Sequence, residues 1–422
     1  MSPTIADPPK IGHIYWTAFT DLEGDSGPTD PLRFDMYTQR LGNILLPGIT
    51  NRTERLRYLS MVCAGLAVTG DLSATVRQQR RAFLPFERGW ALAMTLSVDG
   101  RLKLGVADGT DQRGLRPEFR GLRGANRVLA HFRTLGDRPR VRPASYTLLQ
   151  GQDAQGGLGA YLITLRQFGF VHPESLALTS LGREMAAAFT SRGVRGGRLG
   201  ILADDALADR GLLVRMGHVL SLGSPTVEER DLVRNAVFDN DRSVAGEVVS
   251  RMRAARPQAR GPRELLAGIA RSDGDPFGRA AAYALAFDPL RIAALTLFAR
   301  LGDQLRPLVG SSRLSDLPAE PLETPAKDVR DCAPAVAEMR DLAGLAPISQ
   351  LARDIATTRT LDETVNAVVS FHRREERSWI VAEGPQRYRL GRHGRFQEPS
   401  NAFNGYTVGR AFQLLADVEG TP

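Results

Sequence analysis

Two histidines late in the chain stand among arginines and acids. One lies in Phe371-His372-Arg373-Arg374-Glu375-Glu376-Arg377, the other in Arg392-His393-Gly394-Arg395-Phe396-Gln397-Glu398. Histidine as general acid or base, with arginine holding developing negative charge, is phosphodiesterase chemistry. The spacing of His372 and His393 across an expected hairpin matches no metal or triad signature. No aspartate pair accompanies them at a spacing that would hold Mg²⁺. The same residues also read as a basic helix face followed by a turn. Asp204-Asp205 and Asp239-Asn240-Asp241 are the acidic groupings that would take a cation, but adjacent acids more commonly cap helices or sit in turns.

A second chemistry is polyanion binding. Residues 101–142 hold eleven basic side chains against four acids, a local net charge of +7 in a chain whose total is +8. Clustered arginines release counterions as they neutralise phosphates, so such a segment favours nucleic acid. The residues expected to contact it here are Arg116, Arg120, Arg123, Arg127, Arg138, Arg140 and Arg142. The bias must be weighed against composition: only Lys10, Lys103 and Lys327 are lysines, so the whole chain is arginine-rich. A solvated basic face is the competing reading.

Several function classes are disfavoured. The sequence carries no P-loop, GxSxG, HExxH or EF-hand loop. Two cysteines, Cys63 and Cys332, build neither a disulfide framework nor a cysteine-rich zinc site, and fit a reducing cytoplasm. Cys63, on an apolar helical face, reads as a buried structural thiol. The first ten residues lack an apolar core of secretory type, and no membrane span is expected. No catalytic residue, metal or cofactor is assigned.

The elements that must position these residues are mostly helical. A helix over 33–46 stops at Pro47-Gly48. Thr50 or Asn51 caps the next, with Leu56, Leu59, Cys63 and Leu66 at helical spacing. Thr75 opens another, with Phe83, Phe86 and Trp90 as core. The alternation from Leu92 to Val98, then Asp99-Gly100, then Leu102 to Val106 predicts a hairpin, with helix continuing to Leu96 as the competing expectation. Capping boxes begin at Thr226 and Thr360. Asp204-Asp205 reads as another helix start. Residues 262–270 and 276–304 have helical periods, as do 336–342 and 348–356. Residues 314–341, acidic and carrying prolines 318, 321, 325 and 334, read as a linker. Trp379–Leu390 reads as a hairpin, and 405–418 as a helix.

The stretch 157–190 has its own order. Gly157–Phe168 is an amphipathic helix with a Leu158, Leu162, Leu165 stripe. Gly169 ends it, and Phe170-Val171 and Leu176-Ala177-Leu178 flank the turn His172–Ser175. Thr179 caps a helix carrying Gly182 and Arg183. This order resembles the winged-helix superfamily over about residues 140–190. The resemblance implies that 157–168 is the recognition helix, with Tyr161, Arg166 and Gln167 reaching a DNA groove and the wing on the backbone. Its single arginine makes backbone binding by Arg138, Arg140 and Arg142 the simpler mode. Separately, Pro47-Gly48-Ile49-Thr50-Asn51-Arg52-Thr53-Glu54-Arg55-Leu56-Arg57-Tyr58 resembles a motif of uncharacterised bacterial proteins encoded among phage-defence genes. It implies a subunit of such a system; without it, the segment is a capped helix with basic residues facing solvent.

The expected fold class is therefore mainly α with small β-hairpins (α+β), a central winged helix-turn-helix flanked by helical regions. The segments are 1–135 helical with the basic stretch, 136–195 winged helix, 196–313 helical, 314–345 acidic connection and 346–422 α+β. The expected function is nucleic-acid binding, on double-stranded DNA, as a non-catalytic cytoplasmic subunit with protein partners. A His372 or His393 phosphodiesterase and a scaffold whose winged helix binds protein are the alternatives.

Overall fold

A computed structural model describes residues 30–50, 52–53, 55–70, 75–98, 121–190, 198–238, 250, 261–270, 276–308, 310–339, 342–375, 379–391 and 408–420. Of these residues 68% are helical and 5% lie in strands. In chain order the elements are α1 (Phe34–Leu45), α2 (Leu56–Thr69), α3 (Val76–Ser97), α4 (Ala125–Leu135), β1 (Arg140–Val141), α5 (Gln152–Gln155), α6 (Gly157–Gln167), α7 (Ser180–Thr190), α8 (Gly200–Ala203), β2 (Ala208–Asp209), α9 (Arg210–Val219) and α10 (Val227–Val233). A π-helical turn, Arg234–Phe238, continues α10. Then come α11 (Pro262–Ala270), α12 (Pro276–Leu305), β3 (Ser312–Arg313), α13 (Glu320–Ala337), α14 (Ala346–Ala356), α15 (Leu361–Arg374), β4 (Ile380–Ala382), β5 (Arg387–Leu390) and α16 (Val408–Glu419). The described residues fall into two compact units, one drawn from Leu46–Glu247 and Arg410–Pro422, the other from Ala18–Leu45 and Val248–Gly409.

The first unit is built on α2 and α3. Every residue from Leu56 to Leu66 is buried, so α2 has no solvent side over its first three turns. Thr75 caps α3 through a full capping box with Gln78, and Phe83, Phe86 and Trp90 are wholly buried. Helix α9 crosses α3 so closely that a Cβ on Gly217 would meet the Ala93 carbonyl at 1.9 Å. Strands β1 and β2 pair antiparallel, Arg140 opposite Asp209 and Val141 opposite Ala208.

In the second unit α12 is the central helix. By length and composition it is apolar enough to cross a membrane, yet α1, α11 and α13 pack along it. It also carries a buried Asp288–Arg291 ion pair at 3.0 Å. Helices α13, α14 and α15 pack together beside it, and a three-stranded antiparallel sheet of order β3-β5-β4 completes the unit. The expected 379–390 hairpin is β4 and β5, with Ile380 opposite Leu390.

Four expectations are corrected. Helix α3 persists to Ser97, so Leu92–Ser97 is not a strand; nearly all of its last three turns is buried, which erases the polar positions by which a helical period is recognised. The second half of that hairpin lies outside the described residues. The 314–341 linker is largely α13, whose Leu322, Ala326, Val329, Ala333 and Val336 form a buried stripe. Pro321 sits in the first turn, where no donor is lost, while Pro325 and Pro334 are carried inside the helix. Each interior proline costs about 3 kcal/mol, and burial of the stripe offsets it. Residues 336–337 therefore end α13 rather than opening a helix. Asp204-Asp205 follows α8 instead of starting a helix, and Asp209 caps α9 through Leu212 N at 2.7 Å.

Candidate nucleic-acid interface

The Pro47–Tyr58 motif turns inward. Gly48 has φ +83°, and a Cβ there would lie 2.4 Å from Gln167 Cγ, so this turn demands glycine. Its carbonyl accepts from Thr164 Oγ1 at 2.6 Å. Thr164 must then accept from Thr53 Oγ1 at 2.9 Å, and Thr53 from Thr50 Oγ1 at 3.0 Å. One chain of hydroxyls thus ties the turn to α6.

Two of the motif's three arginines, Arg55 and Arg57, are interior, which corrects the solvent-facing reading for them, while Arg52 is exposed. Arg55 Nε donates to Asp417 Oδ2 at 3.0 Å and Arg55 Nη2 to the Leu222 carbonyl at 3.1 Å. Burial pushes the Asp417 carboxyl up from its ordinary value, against the opposing pull of Arg55. Arg57 and Glu229 form an ion pair in which both side chains are 0% exposed. Arg57 Nη2 also donates to the Val219 carbonyl at 2.7 Å, and the guanidinium lies 4.7 Å from the Phe189 ring centroid. Glu229 is at the same time the acid of the Thr226 capping box, accepting from Thr226 N at 2.5 Å. A buried charge needs a partner and further hydrogen bonds, and the helix start supplies both here.

Helix α6, expected as the recognition helix, is enclosed by α2, α3 and α5. Tyr161 is 1% exposed, stacks on Tyr58 at 5.0 Å and 16°, and accepts a hydrogen bond from Arg55 N at 3.2 Å. Tyr161 therefore cannot contact DNA; the tyrosine belongs to the core because the helix has apolar neighbours on nearly every side. The first α6 amide, Gly157 N, donates to Glu87 at 2.6 Å, and Gln152 Nε2 donates to the same carboxylate at 3.0 Å. Burial pushes the Glu87 carboxyl up, outweighing these donors. Arg166 is half-buried and its Nη2 donates to the Ser175 carbonyl at 3.2 Å, so it braces the turn 172–175. Gln167 is exposed over Gly48.

The hairpin between α6 and α7 is a single Val171–Leu178 bridge. Thr179 Oγ1 accepts from Gly182 N at 3.1 Å, the expected cap. Gly182 is required because a Cβ there would fall 2.0 Å from the Phe170 carbonyl oxygen. The helix, hairpin, helix order of the resemblance is present, but β1 pairs with β2 and not with this hairpin.

What remains at the surface is the segment 127–142. Arg127, Arg133, Arg138, Arg140 and Arg142 are all exposed. Arg142 approaches Asp205 at 3.7 Å with both side chains more than half exposed. Asp209, opposite Arg140, spends its carboxylate on the α9 cap. Arg123 differs: its backbone N donates to Tyr58 Oη at 2.7 Å and its Nε to the Gln155 carbonyl, which anchors it half-buried. Arg116 and Arg120 lie outside the described residues. Arg210 was not anticipated; it reaches the Gly136 carbonyl and sits 5.9 Å from the Phe132 ring centroid. Only the β1–β2 pairing, which no local sequence signal marks, brings it there.

Among the described residues no group of three His, Cys, Asp or Glu stands ready for a metal. Asp204 accepts from Ala206 N at 2.9 Å, a turn role, and residues 239–241 lie outside the described set. His372 is fully buried. Its Nε2 accepts from Trp379 N at 3.0 Å, so Nδ1 carries the proton it donates to the Pro31 carbonyl at 2.7 Å. It joins α15, β4 and the residues before α1, and is no proton shuttle. His393 lies outside the described residues. Cys63 is buried in α2, and burial pushes its thiol up.

Comparison with protein-family models, curated proteins and solved structures finds no match to the chain.

Proposed function

We propose that the chain binds nucleic acid by phosphate contact along α4 and the segment leading into β1. The observation that carries the reading is the set of five exposed arginines between 127 and 142, facing solvent beside the lone acid Asp137 within that segment. Arginine forks match phosphate oxygens, and such contacts need no groove-reading helix. The interior position of α6 favours this mode over base reading. The phosphodiesterase alternative loses His372, whose two ring nitrogens both serve backbone groups. The place in a bacterial defence assembly rests on the likeness at 47–58, whose Arg55 and Arg57 are spent inside the fold.

The test is binding of full-length protein to labelled DNA across a salt series. Replacing Arg127, Arg138, Arg140 and Arg142 by Ala is expected to weaken binding and to lower the slope of log K against log salt by roughly one unit per lost phosphate contact. An unchanged slope and affinity in a folded variant removes the proposal.

A further inference from the structure

We infer that this arginine face takes single-stranded nucleic acid, with unpaired bases stacking on the half-buried rings of His131 and Phe132; the inference rests on the reading of the face as a polyanion site. His131 follows Arg127 by one helical turn, so the two share a flank of α4. Its imidazole lies parallel to Tyr146, with ring centroids 4.5 Å apart and planes 10° from one another. Tyr146 is fixed in turn by its hydroxyl, which donates to the Arg88 carbonyl at 2.8 Å. The imidazole is therefore held flat by a braced neighbour. Its Nε2 is buried with no hydrogen-bond partner among the described residues, so a base can meet the ring only by its face, and burial lowers its pKa, which favours the neutral ring. The next residue, Phe132, is also half-buried; it lies toward the side of α4 that holds Val128 and Leu129, and the Arg210 guanidinium sits over one face of its ring, 5.9 Å from the centroid, leaving the other face for a base.

Arginines alone would suit duplex and single strand equally. Partly open aromatic rings between them add affinity only for bases whose faces are free, because a duplex keeps its bases stacked on one another. To gain base contacts as well, duplex binding would need an element that enters a groove. Helix α6 is enclosed, and the Val171–Leu178 bridge is too short to act as a ribbon. Phosphates along Arg127, Arg133 and Arg138 with bases turned onto α4 is the arrangement the residues support.

The experiment measures full-length protein against an oligothymidine strand and a duplex of equal length at one salt concentration. The single strand is expected to bind at least about tenfold more tightly. His131→Ala and Phe132→Leu are each expected to weaken single-strand binding by roughly 5- to 150-fold, the range for loss of one stacked base, with duplex binding unchanged. Because Phe132→Leu touches the core side of α4, wild-type protein is also titrated with a strand carrying 2-aminopurine. Stacking on a protein ring quenches its fluorescence, whereas plain phosphate binding leaves it as bright or brighter. Duplex binding equal to or tighter than single-strand binding, or absence of quenching, overturns the inference while leaving the polyanion reading in place. No binding to either probe overturns both.

Discussion

Two arginine-bearing stretches of one unit, 55–57 and 127–142, meet opposite fates. Arg55 and Arg57 enter α2, a helix buried all round its first turns, and each ends on a carboxylate and a carbonyl. Arg127 and Arg133 lie on α4, whose buried residues Ala125, Val128, Leu129 and Leu135 occupy one side. The difference comes from the hosts. A one-sided helix leaves a long cationic side chain somewhere to go, whereas an enclosed helix forces the protein to bring a counter-charge to it. An arginine's use is thus set by the apolar residues around it and not by its own abundance.

The largest effect that would break this contrast is at the buried pair. Arg57→Met strands the Glu229 carboxylate and is expected to cost about 3–5 kcal/mol, read as a drop in melting temperature. Adding Glu229→Leu should recover part of the loss. A single variant that melts like the wild type would mean the pair is not desolvated as described. Next comes charge-conserving exchange. Arg57→Lys should still cost about 2 kcal/mol, because an ammonium cannot serve the carboxylate and the Val219 carbonyl with one planar fork. Lysine at 127, 138, 140 and 142 together should hold DNA binding within about threefold, since a phosphate accepts a point charge. Equal sensitivity in the two places would dissolve the comparison.

A smaller effect is expected at Asp30, which accepts from Leu32 N and Asp35 N at the start of α1. Burial raises its pKa from 3.8 to about 6, against these two donors. The folded state therefore holds a proton that the unfolded state has released, so stability falls as pH rises through that window. Asp30→Asn should flatten denaturation midpoints measured across it; a wild-type curve that rises with pH there would refute the assignment. The smallest effect is at Asp205. Removing this exposed partner of Arg142 by Asp205→Ala should change stability by no more than about 0.5 kcal/mol. DNA binding should tighten slightly, because Arg142 is released; weaker binding would place Asp205 in the interface.

Elements with local punctuation were legible in sequence. Thr226 and Thr360 cap their helices through the boxes expected, and Gly169, at φ +76°, ends α6. Where burial is complete the polar half of the pattern vanishes, which hid the end of α3. The prolines of α13 misled because a packed stripe outweighs a local breaker. Of the candidate face only exposure was legible, at Arg127, Arg138, Arg140 and Arg142; nothing local could show that Tyr161 sits inside or that Arg57 meets a carboxylate 172 residues away.

That separation has a consequence in time. A ribosome adding roughly 5–20 residues per second makes Arg57 long before it makes Glu229. Asp417 follows Arg55 by 362 residues, a further wait of roughly 20–70 seconds in all. Until Glu229 is made both guanidinium groups prefer water, and until Asp417 is made Arg55 still does, so α2 has reason not to close. The early half of this unit is synthesised as a folding partner in waiting, and a chain halted before residue 417 carries an arginine that its own core cannot yet receive.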